Sequence, residues 1–212
     1  MSSNICYVLG AGGHGKVILS LLRQLSYSVA AVFDDDPRLW GSTLLGAPIR
    51  GPIASIREHA NAPGVLAIGD NRTRASVAES CTVDWLTCVH PSAHVDGTVV
   101  LGDGVVVLPN ATVQVDAVIG NHAIINSAST VEHDCTIGRY AHVAPASRLA
   151  GATQVKDGAL LGIGSTTNVG VRIGAWATVG AGAVVVRNVP DHSVVVGVPA
   201  RPLAQSKMET SG

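Results

Sequence analysis

The sequence is poor in aromatic and charged residues. Aromatic side chains make up only 3% of the 212 residues and charged side chains 14%, and the net charge is −1. A nucleic-acid-binding surface needs a basic face, so this composition argues against nucleic acid as a partner. Sandwiches and helical bundles fill the space between their layers with large side chains. The hydrophobic content of 47% must therefore form a narrower core.

Long apolar runs and closely paired cysteines are also missing. No window is uninterrupted and apolar over the length needed to span a bilayer, and the N-terminal segment does not read as a secretory leader. We therefore expect a soluble cytoplasmic protein that does not bind a membrane. The four cysteines form no C-x-x-C pair, and a reducing compartment would keep them as buried thiols: Cys6, Cys81, Cys88 and Cys135.

Strand-like and helix-like segments alternate over residues 1–88. The predicted strands are ICYVLG, VAAVFDDD, GVLAIGD and DWLTCVH, and the predicted helices are GKVILSLLRQL, IASIREHA and NRTRASVAESC. Alternation of this kind predicts a small parallel α/β domain.

A six-residue repeat begins at Ala93 and continues through residue 185. Every sixth residue from Ala93 is small or β-branched, and the residue two positions later is aliphatic in every repeat except at Thr167. This pattern predicts a hexapeptide β-helix with a thin continuous core over residues 89–196, followed by a tail of residues 197–212. Glycine commonly follows the aliphatic position, as at Gly102 and Gly138, where we expect a corner that needs a positive φ.

Two histidines lie outside the inward positions of this repeat. His133 and His142 are both predicted on the outer surface of the β-helix, as solvated side chains or as part of a site. Gly151 follows His133 by eighteen residues, which is one coil of three repeats, and leaves room beside it. Glu132 and Asp134 flank His133, and either carboxylate could hold the imidazole in one tautomer and stabilise its protonated form. Cys135 falls on an inward position and is predicted to lie in the core.

A glycine-rich loop, GAGGHG at residues 10–15, fits the pattern G-x-G-x-x-G between a strand and a helix. Its backbone N–H groups and the helix N-terminus are suited to a diphosphate, and the acidic residues 34–36 are placed to bind a ribose. The motif by itself does not distinguish NAD from a sugar nucleotide. We favour the sugar nucleotide because the α/β segment is about half of a full dinucleotide-binding fold.

The sequence resembles the left-handed β-helix N-acetyltransferases of nucleotide-linked amino sugars, the bacillosamine and perosamine acetyltransferases, with sialic acid O-acetyltransferases as relatives. The motifs that carry the resemblance are VLGAGGHGKV, AIGDNRTR, VHPSA, AIINSASTVEHDCTIG, HVAPASRLAG and VVVGVPARPL. It implies an N-terminal Rossmann-like half-domain followed by a left-handed β-helix. It further implies an acetyl-CoA-dependent, metal-free homotrimer that acetylates a UDP- or GDP-linked 4-amino-4,6-dideoxy sugar for surface polysaccharide biosynthesis.

The resemblance also implies roles for individual residues. His133 resembles the general base that deprotonates the attacking sugar amine, and Asp134 its orienting partner. The residues implied in sugar-nucleotide binding are Gly12, Gly13, His14, Gly15, Lys16, Asp35, Asp36 and Asn126. The residues implied in acetyl-CoA binding are His142, Gly151, Ile163, Gly180 and Ala181. At Ala146 and Ala181 the chain departs from relatives that often have glycine.

Other functions are compatible with parts of this sequence. A sialic acid O-acetyltransferase is the alternative within the family. A γ-type carbonic anhydrase shares the β-helix but needs three zinc-binding histidines, and the spacing of His122, His133 and His142 does not resemble its pattern. A non-catalytic β-helix scaffold would not need an attached phosphate-binding loop.

Overall fold

The computed structural model describes residues 4–59 and 62–203. The chain opens with a five-stranded sheet in the order β3-β4-β2-β1-β5. Its strands are β1 (Asn4–Leu9), β2 (Tyr27–Phe33), β3 (Thr43–Leu44), β4 (Ala47–Gly51) and β5 (Gly64–Leu66). All pairings are parallel except that of β3 with β4.

Two α-helices and two 3₁₀ helices connect these strands. They are α1 (Gly13–Gln24), α2 (Asn71–Ser80) and the 3₁₀ helices Pro37–Leu39 and Ile53–His59. Ile18, Leu21 and Leu22 form the buried face of α1, and Asp70 caps α2 by accepting a hydrogen bond from the Thr73 N–H at 2.8 Å. The helix predicted from IASIREHA is thus 3₁₀, and its last residue, 60, lies outside the described residues. No helix in the described ranges combines the length and apolarity of a membrane span.

The prediction that DWLTCVH forms a strand of the α/β domain is wrong. Within it only Trp85 bridges to the sheet, through Gly64. The strand Cys88–Val89 belongs to the β-helix, so the β-helix begins one residue before the range predicted for it. The β3–β4 hairpin was not predicted because a two-residue strand is too short to show alternation. Its turn takes positive φ values of 47° at Leu45 and 85° at Gly46.

From Cys88 onward the chain winds into a three-sided parallel β-helix, as predicted, which ends in the strand Arg201–Pro202, paired antiparallel with Val194–Val196. The first face contains Cys88–Val89, Val106–Val107, Ile124–Ile125, His142–Val143, Leu160–Leu161, Thr178–Val179, Val194–Val196 and Arg201–Pro202. The second contains His94–Val95, Thr112–Val113, Thr130–Val131, Arg148–Leu149, Thr166–Thr167 and Val184–Val185. The third contains Val100–Leu101, Val118–Ile119, Thr136–Ile137, Gln154–Val155 and Arg172–Ile173. Residues 204–212 of the predicted tail lie outside the described residues.

The predicted inward residues from Val105 onward form one continuous buried core, against which the inward residues of the first coil pack while only partly buried: Ala93, Val95, Val99 and Leu101. Its few polar members are satisfied locally: the Ser129 hydroxyl donates to the Asn126 carbonyl at 2.6 Å, and the Thr153 hydroxyl donates to the Ala150 carbonyl at 2.6 Å. Cys135 is fully buried in this cluster as predicted, and burial raises the pKa of its thiol. All four cysteines are buried thiols.

The role predicted for the glycines after the aliphatic positions is wrong. The left-handed backbone occurs two residues later in the repeat, where Gly104 and Gly170 but also Asp134 have positive φ. Gly102 and Gly138 are instead required by close approach of the next coil. A Cβ on Gly138 would lie 2.5 Å from the Asp157 backbone nitrogen.

We therefore expect Gly138→Ala to destabilise the protein by about 3 kcal/mol, the upper end for overpacking against rigid neighbours. Gly170→Ala is the matched control, because Gly170 has a φ of +69° but nothing within 4 Å of an added Cβ. It should cost only about 1 kcal/mol, the strain of one left-handed residue. Chemical denaturation of both variants measures the difference, and equal losses would show that conformation rather than contact governs these glycines.

The α/β domain packs against the first face of the β-helix. Ile18 and Leu22 of α1 share an apolar cluster with Cys88, Val106 and Leu108. A second shared cluster joins Tyr140 at the edge between the third and first faces with residues of the sheet. The α/β domain therefore covers the outward side chains of the first face.

Candidate functional site

A cavity of about 400 Å³ lies where the carboxyl ends of β1, β2 and β5 meet the N-terminus of α1. We call it the glycine-loop pocket. Its lining residues are Gly10, Gly12, Gly13, His14, Asp34, Asp35, Ile53, Ala67, Ile68, Gly69 and Thr73. Open α/β sheets bind ligands at this position, beyond the carboxyl ends of their strands. The pocket thus contains four of the residues predicted to bind a sugar nucleotide: Gly12, Gly13, His14 and Asp35.

Three other predicted residues lie elsewhere. Gly15 is buried beneath the loop, where a Cβ would lie 2.7 Å from the Gly10 carbonyl oxygen, so it serves the packing of helix on strand. Lys16 lines a separate cavity of about 290 Å³, together with His90. Asp36 pairs with Arg38 at 2.7 Å, and the hydrogen bonds from Arg38 lower the pKa of Asp36 to about 2.

The acidic cluster also shapes the pocket wall. The Asp34 carboxylate accepts hydrogen bonds from the Ala11 N–H at 2.6 Å and the Asp36 N–H at 2.9 Å, which fixes the glycine-rich loop to the end of β2. Asp35 accepts from the Ile53 N–H through one oxygen at 2.9 Å. The sequence included Asp34 only among the acidic residues 34–36 suited to a ribose, whereas its carboxylate is used to hold the loop in place.

His142 and His122 lie outside the β-helix core, but neither is exposed. His142 is therefore not the solvated side chain that the sequence left open. Asn126 Nδ2 donates to His142 Nε2 at 2.9 Å, so the proton of the neutral ring is assigned to Nδ1. Burial and the charge of Arg74 lower the pKa of His142 to about 4. His122 is packed between the rings of Trp85 and Tyr140.

His14 faces the pocket in a similar environment. Burial, followed by the charge of Arg74, lowers its pKa to about 4. Its Nε2 atom is buried, and no hydrogen-bond partner for it occurs among the described residues. A buried nitrogen without a partner is costly in an isolated chain, so this atom is suited to bind a ligand group.

His133 is on the opposite side of the β-helix, at the edge between the second and third faces. Its side chain is 58% exposed, and its Nδ1 contacts Asp134 Oδ2 at 2.7 Å. This hydrogen bond raises the pKa of His133, and desolvation opposes it. The ring lies over Gly151, where a Cβ would be 2.6 Å from both Cε1 and Nε2. Asp134 rather than Glu132 is therefore the partner of the imidazole.

A single chain does not bring His133 to the glycine-loop pocket. His133 follows the second-face strand Thr130–Val131, whereas His142 is on the first face, against the α/β domain. In a three-sided helix the edge between the second and third faces lies opposite the first face. Chemistry that needs both histidines must therefore use two copies of the chain.

The remaining residues predicted to bind acetyl-CoA lie at the edge between the first and second faces. Ile163 is 61% exposed, Ala181 is exposed and Gly180 is half-buried beside Val196. This edge is continuous with Asn126, which follows a first-face strand. Within the described ranges, no group of three or more histidine, cysteine, aspartate or glutamate side chains is arranged to hold a metal ion.

Comparisons with known proteins agree with this architecture. Residues 6–81 match the family model for the PglD N-terminal domain, and residues 116–151 match the model for the bacterial transferase hexapeptide with six repeats. PerB from Caulobacter crescentus, solved in complex with CoA and GDP-perosamine, is 39% identical with a TM-score of 0.87. The alignment covers 94% of this chain and 97% of PerB. The chain belongs to the bacillosamine and perosamine N-acetyltransferase family.

Other members of this nucleotide-sugar N-acetyltransferase family match as well. The acetyltransferase domain of PglB from Neisseria gonorrhoeae is 32% identical over 95% of this chain and all of that domain, with a TM-score of 0.89. The UDP-N-acetylbacillosamine N-acetyltransferase of Bacillus subtilis is 36% identical over 107 residues. That match covers 48% of this chain and 50% of the relative, so the chain spans about half the length of this curated relative. The family and the fold class predicted from the sequence are confirmed.

Proposed function

We propose that this protein is an acetyl-CoA-dependent N-acetyltransferase acting on the amino group of a UDP- or GDP-linked 4-amino-4,6-dideoxy sugar. The observation that carries this proposal is the likeness along nearly the whole chain to PerB, which was solved with CoA and GDP-perosamine. The glycine-loop pocket supports this proposal. Its loop N–H groups can donate hydrogen bonds to a diphosphate, and Asp35 can accept a hydrogen bond from a ribose hydroxyl or from the base. The product would serve surface polysaccharide synthesis in the cytoplasm.

In the proposed reaction the sugar amine attacks the thioester carbonyl carbon of acetyl-CoA. His133 Nε2 accepts the proton that the amine loses, while Asp134 stabilises the resulting imidazolium through Nδ1. The Gly151 N–H donates to the developing oxyanion, and collapse of the intermediate breaks the C–S bond. The departing thiolate takes the proton from the His133 imidazolium, which releases CoA thiol and restores the neutral base. No covalent enzyme intermediate is needed.

We propose a homotrimer in which each site lies between two subunits. His133 of one subunit would meet the glycine-loop pocket, Asn126 and His142 of its neighbour. The support is the placement of His133 and His142 on opposite sides of one β-helix. Acetyl-CoA would then lie in the groove between subunits, past Ile163 and Gly180 to Ala181.

The proposal is tested by measuring CoA thiol release with acetyl-CoA and a panel of acceptors. The panel contains UDP- and GDP-linked 4-amino-4,6-dideoxy sugars and free sialic acid. Release with one nucleotide amino sugar is expected and would identify the base. Release with sialic acid alone would instead assign the protein to the O-acetyltransferases, and no release with any acceptor would contradict an acetyltransferase function.

Mixed trimers test whether the site is shared between subunits. His133→Asn and His142→Ala homotrimers should both be nearly inactive. When equal amounts of the two variant chains assemble at random, about one quarter of the sites should be active. Each site needs an intact His133 from one subunit and an intact His142 from its neighbour, and each is present in half of the chains. CoA thiol release by the co-expressed mixture checks this prediction, with the two variant chains distinguished by different tags. If the mixture is as inactive as its parents, both histidines act within one chain and the shared site is wrong.

The pH dependence should change in Asp134→Asn. A general base must be neutral to accept a proton, and Asp134 raises the pKa of His133. Removing the carboxylate lowers that pKa, so the acid limb of the kcat/KM profile should move to lower pH while the plateau falls because the ring is less well oriented. Profiles from pH 5 to 9 measure both effects. An acid limb at the wild-type position would show that another group titrates.

A further inference from the structure

Arg74 is a fully buried cation, with 1% of its surface exposed. Its Nε donates to the His122 carbonyl at 3.0 Å. Its Nη1 donates to the carbonyls of Ile68 at 3.0 Å and Gly69 at 3.1 Å. Its Nη2 donates to Asn71 Oδ1 at 2.8 Å and the Tyr140 carbonyl at 2.7 Å. All five N–H donors of the guanidinium are therefore used, and none remains for a ligand.

These bonds join the pocket to the β-helix. Ile68 and Gly69 line the glycine-loop pocket, whereas His122 and Tyr140 lie at the edge between the third and first faces. Asn71 strengthens the same joint by donating to the carbonyls of residues 158 and 159 at 3.1 and 3.2 Å. The guanidinium thus sets where the pocket wall sits relative to His142 in the first face.

The charge of Arg74 has no carboxylate in ion-pair contact among residues 4–59 and 62–203. Asp70 acts on it only at longer range, and its carboxylate is bonded to the Thr73 N–H and hydroxyl. Burial lowers the pKa of Arg74 to about 10, so it stays charged at neutral pH. An unpaired buried charge is costly, and such a cost is characteristic of a functional site.

Resting on the proposed function, we propose that Arg74 is a positioning residue for the sugar-nucleotide pocket. Its guanidinium fixes the Ile68–Gly69 wall against the β-helix through its hydrogen bonds. Its charge adds to burial in disfavouring protonation of His14 and His142, and it favours an anionic diphosphate. Lys16, which the resemblance implied in sugar-nucleotide binding, lines a different cavity.

The groups around the two histidines support this role. Burial is the largest cause of the lowered pKa of His14 and His142, and Arg74 is the largest charge acting on each. His14 adds to the effect on His142, and the Gly69 carbonyl opposes it. Arg74 also lowers the pKa of His122, which Asp103 opposes. A neutral His142 can accept the hydrogen bond from Asn126.

The test uses the full chain with three substitutions. Arg74→Met removes charge and hydrogen bonds, Arg74→Lys keeps the charge but loses the planar fork, and Asn71→Ala loosens the joint while keeping the charge. NMR titration of the Cε1–H signals of His14 and His142 is measured, together with the Kd of GDP and UDP alone. We expect Arg74→Met to raise both histidine pKa values and weaken nucleotide binding roughly ten-fold. In the other two variants both histidines should remain neutral at pH 6.

The proposal is overturned if Arg74→Met lowers the melting temperature as Asn71→Ala does but leaves both titrations and the Kd unchanged, because Arg74 is then structural only. If Arg74→Met does not fold, folded Arg74→Lys still decides, because it keeps the charge but cannot make the five hydrogen bonds that hold the wall. A Kd of GDP and UDP equal to that of the wild type in Arg74→Lys contradicts the positioning role, and titration of either histidine near pH 6.5 in the wild type contradicts the effect on the rings. The histidine titrations do not depend on catalytic activity, so they test the role of Arg74 separately from the proposed function. Wild-type protein that binds neither nucleotide would refute the proposed function separately.

Discussion

Replacing His133 by asparagine is expected to lower kcat by roughly 10²–10⁴-fold, the usual contribution of a general base. The imidazole is 58% exposed and bonded to Asp134, so its loss removes a proton acceptor without opening the core. The melting temperature should therefore stay within about 2 °C of the wild type. Single-turnover CoA release and thermal unfolding measure the two effects.

Glu132→Gln provides the matched control for this prediction. Glu132 is adjacent to His133 and acts on it only through its charge, whereas Asp134 holds the ring directly. The control should keep kcat within about ten-fold of the wild type, because Glu132 is half-buried but makes no hydrogen bond to the ring and its charge is partly screened. Near-wild-type turnover in a folded His133→Asn protein would contradict the role of His133 as base.

Gly151→Ala is expected to lower kcat by about 10²-fold, the effect of a 1 Å misplacement of a catalytic group. The added Cβ would lie 2.6 Å from Cε1 and Nε2 of His133. The end of an exposed side chain moves more easily than backbone, so the ring should be displaced while the coil is retained. Steady-state kinetics and circular dichroism of the variant measure these two outcomes.

The double variant His133→Asn/Gly151→Ala sharpens this prediction. If the methyl group acts by displacing the imidazole, the double variant should be no slower than His133→Asn alone. Losses that multiply would show that Gly151 acts separately, for example through its own N–H on the oxyanion. Gly170→Ala in the adjacent coil is the control, because its Cβ would meet nothing within 4 Å and kcat should not change.

The sequence predicted the β-helix well because its repeat is strict. Each inward aliphatic or small side chain recurs every six residues, and a thin core leaves no other way to bury them together. Less regular features were predicted less well. The β3–β4 hairpin has a strand too short to show alternation. The edge glycines depend on contacts between distant segments, such as that of Gly138 with the coil at Asp157, which no local period reveals.

The candidate site shows the same division. Motif spacing led to Gly12, Gly13, His14 and Asp35, all of which line one pocket. Lys16 belongs to the same motif, but it lines another cavity. Arg74 lies within the motif AIGDNRTR, but the motif does not indicate its role. Its five hydrogen-bond acceptors are backbone and side-chain groups from three segments that are separate in the sequence.

By itself the sequence determined the order of the α/β segment and β-helix, the inward residues of each coil, the glycine loop and the pairing of a flanking carboxylate with His133. These properties follow from local periodicity and from neighbours in the chain. Only the tertiary structure decided that His142 and His122 are covered and that His133 lies on the opposite edge from the pocket. Those properties depend on which face of the β-helix the α/β domain covers, and this is set by packing between residues far apart in sequence.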